Sequence, residues 1–180
     1  MNISYQFWNE NYQEYPLFVE LLKKIAPEQL QFVVGAYYRE HKNYLFVALS
    51  QNKVVGFIRY CRQPIGPEAK CPPIKVGTDV LWEAKINAFA VDLDFRGMNI
   101  GKTLQQIVLS SAKKLGCYQV ASYSTLDKVQ NYSVKLSLGF GVQMETQLSG
   151  VQGAYFIMPL KSWVPKSEIN WEAPGGAPVI

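Results

Sequence analysis

Arg96-Gly97-Met98-Asn99-Ile100-Gly101-Lys102 is the stretch whose residue types and spacing best suit chemistry. Gly97 and Gly101 carry no side chain that would hold a ligand away from the backbone. Asn99 stands between them, and Asn tolerates the left-handed region better than most residues. Arg96 and Lys102 add positive charge at the two ends. A turn of this kind entering a helix presents backbone N–H groups without intrahelical partners, together with the positive end of the helix dipole. The chemistry on offer is anion binding, of the sort a pyrophosphate needs. A turn that merely reverses the chain is the plainer alternative, because motifs this short are loose.

The flanking residues decide what such a turn can serve. Trp82–Val91 is rich in strand formers and ends in Phe89, Ala90 and Val91. Ile100, Leu104, Ile107, Val108, Ala112 and Leu115 follow at the spacing of one buried helix face, and Gly116 supplies the stop. The order is strand, polar turn, helix. A dinucleotide fold would want G-x-G-x-x-G in a βαβ unit, and that string is absent.

FAVDLDF followed by RGMNIG and a long amphipathic helix resembles motif A of the GNAT superfamily of acyl-CoA-dependent N-acyltransferases. Asn99 replaces the first Gly of the family pattern, and Gly101 keeps the second. SVKLSLGF resembles the end of motif B. The resemblance covers roughly residues 1–160 and implies an α/β fold. That fold is a central mixed, mostly antiparallel sheet of about seven strands, flanked by about four helices, with a splayed parallel pair at the acyl-CoA site. It implies acetyl-CoA as co-substrate, with no metal. The pyrophosphate would lie on Arg96, Gly97, Met98, Asn99, Ile100, Gly101 and Lys102. The pantetheine would run along Phe89, Ala90 and Val91, and Asn131 is positioned to bond its amide.

Direct transfer from a thioester to an amine needs a base, a polarised carbonyl and help for the departing thiolate. The resemblance makes the Val91 N–H the candidate for the carbonyl. Strand alternation puts residues 83, 85, 87, 89 and 91 on one face. Glu83 is the carboxylate among them and the candidate base; a solvated strand-end carboxylate is the alternative. Lys85 occupies the place where several family members carry Glu. Asn87 is nearer the carbonyl and can hold a water. The family's Tyr proton donor, four residues before the Gly of Gly-Phe, is replaced by Lys135. Tyr132 lies on a related but shifted helix face, as a substitute donor or a core residue.

Elsewhere the chain is ordinary in composition. It has 180 residues, enough for one domain with a core and too few for two. A net charge of +4 suits a polyanionic ligand without arguing for nucleic acid. Three cysteines with no C-x-x-C, and a single His, argue for reduced thiols rather than zinc. The absence of a basic-then-apolar leader or a long apolar run predicts a cytoplasmic protein without membrane contact. The acceptor is expected to be a small-molecule or peptide amine, and a homodimer remains open. A non-catalytic acyl-CoA-binding regulatory protein on the same fold is the alternative function.

Ile3, Tyr5 and Phe7 alternate as a first strand. Pro16 opens a helix with Phe18, Leu21, Leu22 and Ile25 inward, and Pro27 starts a second with Leu30, Val33, Val34, Tyr37 and Tyr38. Two strands, 44–49 and 54–60, flank a hairpin turn at Gln51-Asn52-Lys53. Residues 63–81 are broken by Pro and Gly, and form either part of an acceptor pocket or a surface insertion. Asp79 there is a pocket-rim or a turn residue. Strand 118–125 follows the central helix. Asp127 is placed to cap a helix with Val129, Tyr132 and Leu136 inward. Phe140 to Leu148 alternates as a core strand, Gly150–Gly153 turns, and 154–160 is an internal strand. Residues 161–180 form a Trp/Pro/Gly-rich tail outside the acyltransferase domain of 1–160.

Overall fold

A computed structural model describes residues 2–34, 41–146 and 150–160. Its first half contains β1 (Ile3–Trp8), α1 (Tyr15–Ile25), a 3-10 turn (Pro27–Gln29), α2 (Leu30–Val34), β2 (Lys42–Ser50) and β3 (Lys53–Pro64). A small ribbon follows, β4 (Lys75–Val76) with β5 (Asp79–Val80). Then come β6 (Trp82–Val91), α3 (Ile100–Lys114), β7 (Gln119–Thr125), α4 (Val129–Ser137), β8 (Gly141–Thr146) and β9 (Gln152–Pro159). Seven strands form one sheet in the order β1-β2-β3-β6-β7-β9-β8. Every neighbouring pair is antiparallel except β6–β7, which needs the crossover that α3 supplies. This is the expected mixed, mostly antiparallel sheet with its single parallel pair.

Local signals explain most of these elements. Pro16 lies in the first turn of α1, where its missing N–H has no partner to lose. Lys23 and Lys24 stand in its last turn, matching the dipole, and Pro27 ends it. Gln51 and Asn52 have φ of 49° and 62°, the pair of left-handed residues a tight hairpin requires. Tyr37, Tyr38, Leu148 and the 161–180 tail lie outside the described residues.

The sheet carries a core on each face. On one face, Ile100, Leu104, Val108 and Ala112 of α3 pack over Val55, Ile58, Tyr60, Ala84 and Ile86. On the other, Phe18, Leu21 and Leu22 of α1 pack over Leu45, Val47, Phe57 and Ala88. No helix among the described residues is long and apolar enough to cross a membrane.

Three expectations are corrected. Of the α4 residues expected inward, Tyr132 packs on the core but Val129 and Leu136 do not, being 63% and 49% exposed, while Lys135 is fully buried. The lysine stem takes the inward place because its ammonium finds hydroxyl partners on β7. Asp127 does not cap α4; Lys128 is the cap residue and contributes no side-chain bond, while the Asp127 carboxylate accepts from Thr125 Oγ1. Among the described residues β8 is an edge strand rather than a core strand, paired only with β9, and Val142 and Met144 are exposed although they alternate. Phe140, just before it, is buried. The 63–81 segment contains a 3-10 turn at Pro67–Ala69 and the β4–β5 ribbon, with Asp79 exposed in β5.

Candidate functional site

β6 and β7 stay in register only from Glu83–Gln119 to Ile86–Ser122. Beyond Ile86 the two strands separate, β6 running on to Val91 and β7 to Thr125. The cause lies in β6. Opposite β3, Ala88 pairs with Arg59 and Ile86 with Tyr60, so Asn87 is an extra residue, a β-bulge. The bulge also overturns the simple alternation read from the sequence. Ala84, Ile86, Phe89 and Val91 pack on the α3 side, whereas Ala88 and Ala90 pack on the α1 side. Glu83 and Lys85 therefore share a face with Ala88 and Ala90, not with Phe89 and Val91.

The freed edge of β6 presents backbone groups to the splay. Asp92 N–H donates to Val55 O at 2.9 Å, so by alternation the N–H groups of Phe89 and Val91 point away from β3. Phe89 N–H donates to Gln29 Oε1 at 2.7 Å, and Gln29 Nε2 donates back to Phe89 O at 3.2 Å. Gln29 thus imitates a neighbouring strand. The sequence reading missed it, since nothing local distinguishes it from another polar residue in the break between α1 and α2. Arg96 Nε donates to Val91 O at 3.4 Å.

The turn after β6 is held at its root by Asp92, which is buried and meets Lys24 Nζ of α1 at 3.5 Å. A 3-10 turn, Leu93–Phe95, follows. Gly97 and Asn99 have φ of 77° and 59°, so Asn99 takes the left-handed conformation expected of a Gly substitute. Asn99 O accepts from Thr103 N–H at 3.0 Å and from Thr103 Oγ1 at 3.1 Å, which starts α3. Among the described residues, the N–H groups of Gly97 through Lys102 have no protein acceptor. Gly101 sits where α3 crosses β6: a Cβ there would lie 3.1 Å from Phe89 Cζ and 3.7 Å from Val91 Cγ2. An exposed turn with left-handed Asn99 predicts that Asn99→Gly is nearly neutral and that Asn99→Val loses about 1–2 kcal/mol, because Cβ branching is poorly tolerated there. Urea unfolding of the two variants is the check.

On the α1 face, a polar cluster lies at the start of the parallel pair. Glu83 is 3% exposed, accepting from Gln63 Nε2 at 3.0 Å and from Gln119 Nε2 at 2.8 Å. Lys85 Nζ meets Glu68 at 2.9 Å and donates to Tyr155 Oη at 2.8 Å. Burial alone would lower the Lys85 ammonium, but Glu68 and Tyr155 outweigh it and hold it above the usual lysine range. The 63–81 segment therefore contributes Glu68 to this cluster.

The residues around the splay from α4 and the bulge are also polar. Both amide atoms of Asn87, and Asn131 Oδ1, are buried with no partner among the described residues. Asn131 Nδ2 donates to Ser124 Oγ at 3.2 Å. Tyr132 Oη donates to Ser124 O at 2.9 Å and Thr125 O at 3.2 Å, with its ring edge-on to Phe156. Burial raises the Tyr132 phenol, and the hydroxyl braces β7. Lys135 Nζ donates to Ser122 Oγ at 2.8 Å and Ser124 Oγ at 2.7 Å.

One family model, acetyltransferase (GNAT) family, matches the sequence over residues 4–140, which span the splayed parallel pair and the left-handed helix entry. The chain belongs to the GNAT acetyltransferase family. Among solved structures, GNAT-fold likeness extends to Arabidopsis thaliana NAA60 in complex with acetyl-CoA. The TM-score is 0.71 at 12% identity, covering 88% of this chain and 99% of that one. Salmonella typhimurium yncA, a putative acetyltransferase with its cofactor acetyl-CoA, gives 0.65 at 11%, covering 94% and 100%. The Escherichia coli ribosomal-protein-S18-alanine N-acetyltransferase gives 0.60 at 13%, covering 92% and 100%. No curated protein sequence gives a significant match. At such identities the likeness is one of fold. Within that GNAT fold, the structure gathers Phe89, Val91 and Gly101 at one crossing, with Arg96 to Lys102 beside it. Asn131 and Tyr132 bond β7 at Ser124 and Thr125, past the point of separation, Asn87 is the bulge residue of β6, and Glu83 lies on the other face.

Proposed function

We propose that this GNAT protein transfers an acetyl group from acetyl-CoA to a primary amine of a small molecule or peptide by direct attack. The observation that carries the reading is a run of donors without protein acceptors, the N–H groups of Gly97–Lys102, at the helix entry that packs on Phe89 and Val91 of the freed β6 edge. The orphaned atoms of Asn87 and Asn131 are the polar groups an extended amide-bearing arm would satisfy. In this reading the cup holds the pyrophosphate, with Arg96 and Lys102 adding charge. Val91 N–H donates to the thioester carbonyl oxygen as negative charge develops there. Asn131 bonds the pantetheine amide, and Asn87 holds a water.

Glu83 takes the amine's proton through water, since it stands ahead of the splay rather than in it. Glu68 and Glu83 against Lys85 leave one negative charge in the cluster, which favours a cationic amine. The amine nitrogen bonds the carbonyl carbon, the carbon–sulfur bond breaks, and no covalent enzyme intermediate forms. A cytoplasmic location belongs to the same proposal.

Thermal shift with acetyl-CoA, followed by mass spectrometry of an amine panel, tests it. Glu83→Gln is expected to lower kcat about 100-fold while acetyl-CoA affinity stays within a factor of about three. A flipped Gln119 amide can still satisfy the new side chain. Unchanged turnover in that variant removes Glu83 from the mechanism. The second reading, a non-catalytic acyl-CoA binder, is favoured by one observation: both Glu83 oxygens and the Tyr132 hydroxyl already have protein partners. Binding of acetyl-CoA without acetylation of any amine would select it.

A further inference from the structure

The turn Pro27–Gln29, which the transfer chemistry leaves unused, is tied to both arms of the β6–β7 fork. The first tie is Gln29. Its Oε1 accepts from Phe89 N–H at 2.7 Å, and its Nε2 donates to Phe89 O at 3.2 Å. The second tie is Glu28, whose Oε1 meets Lys128 Nζ at 3.1 Å. Lys128 stands just past the end of β7 and also meets Asp127 at 3.3 Å. β6 and β7 pair only as far as Ile86 and Ser122, so Phe89 and Lys128 belong to different arms beyond the point of separation. Two neighbouring residues therefore reach one arm each.

The Gln29 contact occupies a place with a chemical meaning. A free strand edge takes an extended ligand through the main-chain N–H and C=O of alternate residues. On β6 those residues are Phe89 and Val91, whose N–H groups point away from β3. Gln29 holds the Phe89 pair with a side-chain amide, the same group that an amide-bearing arm offers. A backbone N–H has a single proton to donate, so Gln29 Oε1 and a ligand carbonyl exclude one another there. The ties are also of a kind that can be released. Glu28 and Lys128 are 50% and 41% exposed at the side chain, so solvent screens their ion pair. Gln29 is half-buried, and its two hydrogen bonds can be replaced by water on its own side and by the ligand on the side of Phe89.

We propose that Gln29 is a built-in competitor for the ligand's place on β6, closing the fork in the free chain and displaced from Phe89 by the arm of acetyl-CoA. This inference rests on the acyl-CoA reading above. Glu28 and Lys128 keep the competitor at hand by tying its turn to the other arm. The affinity for acetyl-CoA is then the intrinsic affinity reduced by the fraction of chains whose Phe89 is free. The same exchange run backwards favours release of CoA. A ligand without an arm has nothing to exchange with Gln29 and binds the turn at Gly97–Lys102 with the fork still closed.

The test uses the full chain labelled with 15N, its Gln29 side-chain amide resonance assigned by loss in Gln29→Ala. Thermal shift with acetyl-CoA comes first; no shift overturns the acyl-CoA reading, and the competition falls with it. Given binding, saturating acetyl-CoA is expected to move the Gln29 side-chain resonance to the position of a solvent-exposed glutamine. Adenosine diphosphate, a pyrophosphate without the arm, is expected to leave it in place. A Gln29 resonance unmoved by bound acetyl-CoA, or moved equally by adenosine diphosphate, overturns the competition while leaving the binding reading intact. Calorimetric titration gives a second readout. Gln29→Ala is expected to bind acetyl-CoA about 10-fold more tightly than wild type, with its affinity for adenosine diphosphate unchanged. Equal or weaker acetyl-CoA binding in that variant makes Gln29 a strut that holds β6 extended, and overturns the proposal.

Discussion

Gly101→Glu is expected to abolish the stabilisation that acetyl-CoA gives the folded protein. The substitution puts a carboxylate in the first turn of α3, within the cup where the pyrophosphate is proposed to lie. Two unit charges about 4 Å apart repel by about 4 kcal/mol at the effective dielectric of a protein surface. Affinity should then fall at least about 100-fold. At ligand concentrations of about 100 times the wild-type Kd, binding stabilises wild type by about 2.7 kcal/mol, and the variant by about 0.4 kcal/mol. For a chain of this size the wild-type midpoint should rise by about 5–10 °C, and that of the variant by about 1 °C.

The loss cannot be ascribed to a damaged helix on electrostatic grounds, because an acidic residue near a helix N-terminus is favourable to the dipole. The steric part is separable. The new Cβ would sit 3.1 Å from Phe89 Cζ, a ring edge that must give by a few tenths of an ångström. Gly101→Ala carries that crowding without the charge, and should keep most of the acetyl-CoA shift. Equal shifts in wild type and Gly101→Glu would reduce the turn to a structural one.

The second large effect is a pH dependence of stability that should disappear in Lys135→Met. The folded ammonium is lowered from 10.5 to about 7, first by burial and then by Lys85. Below about pH 7 the folded and unfolded chains both carry the charge, so the folded state bears the full desolvation penalty. As pH rises from 7 toward 10.5, the unfolded chain holds a proton that the folded chain has lost. Stability therefore rises with pH across that window. Between pH 6 and pH 9 the gain from this one group is about 2–3 kcal/mol. Lys135→Met has no proton to lose, and its stability should differ from wild type by that much less at pH 9 than at pH 6. Urea unfolding of both proteins at the two pH values is the measurement. Parallel pH profiles would show that Lys135 reaches water in the folded state.

The residues read correctly from the sequence are those whose conformation is decided within a few positions. Pro16 and Gly116 bound their helices because a missing N–H and a left-handed backbone act locally. Gln51-Asn52 turns the hairpin, and Asn99 adopts positive φ at the mouth of α3, for the same kind of reason. The helix face Ile100, Leu104, Val108 and Ala112 follows from its spacing, and motif A and the family come with it.

What the tertiary structure decided depends on strands that meet from far apart in the chain. The bulge at Asn87 exists only in the register of β6 against β3, and it moves Glu83 and Lys85 to the face opposite Phe89 and Val91. No alternation rule applied to β6 alone contains that extra residue. Gln29 finds Phe89 across sixty positions of sequence. Val142 and Met144 alternate as a core strand would, but among the described residues β8 has one neighbour and they remain exposed. Lys135 breaks the polar-outside rule outright, because α4 folds back over β7 and sets its ammonium on Ser122 and Ser124. The turn of unpartnered N–H groups was legible because local backbone geometry makes it; the surroundings of Glu83, Tyr132 and Lys135 were not, because burial and partners across the sheet determine whether a side chain can hold or release a proton.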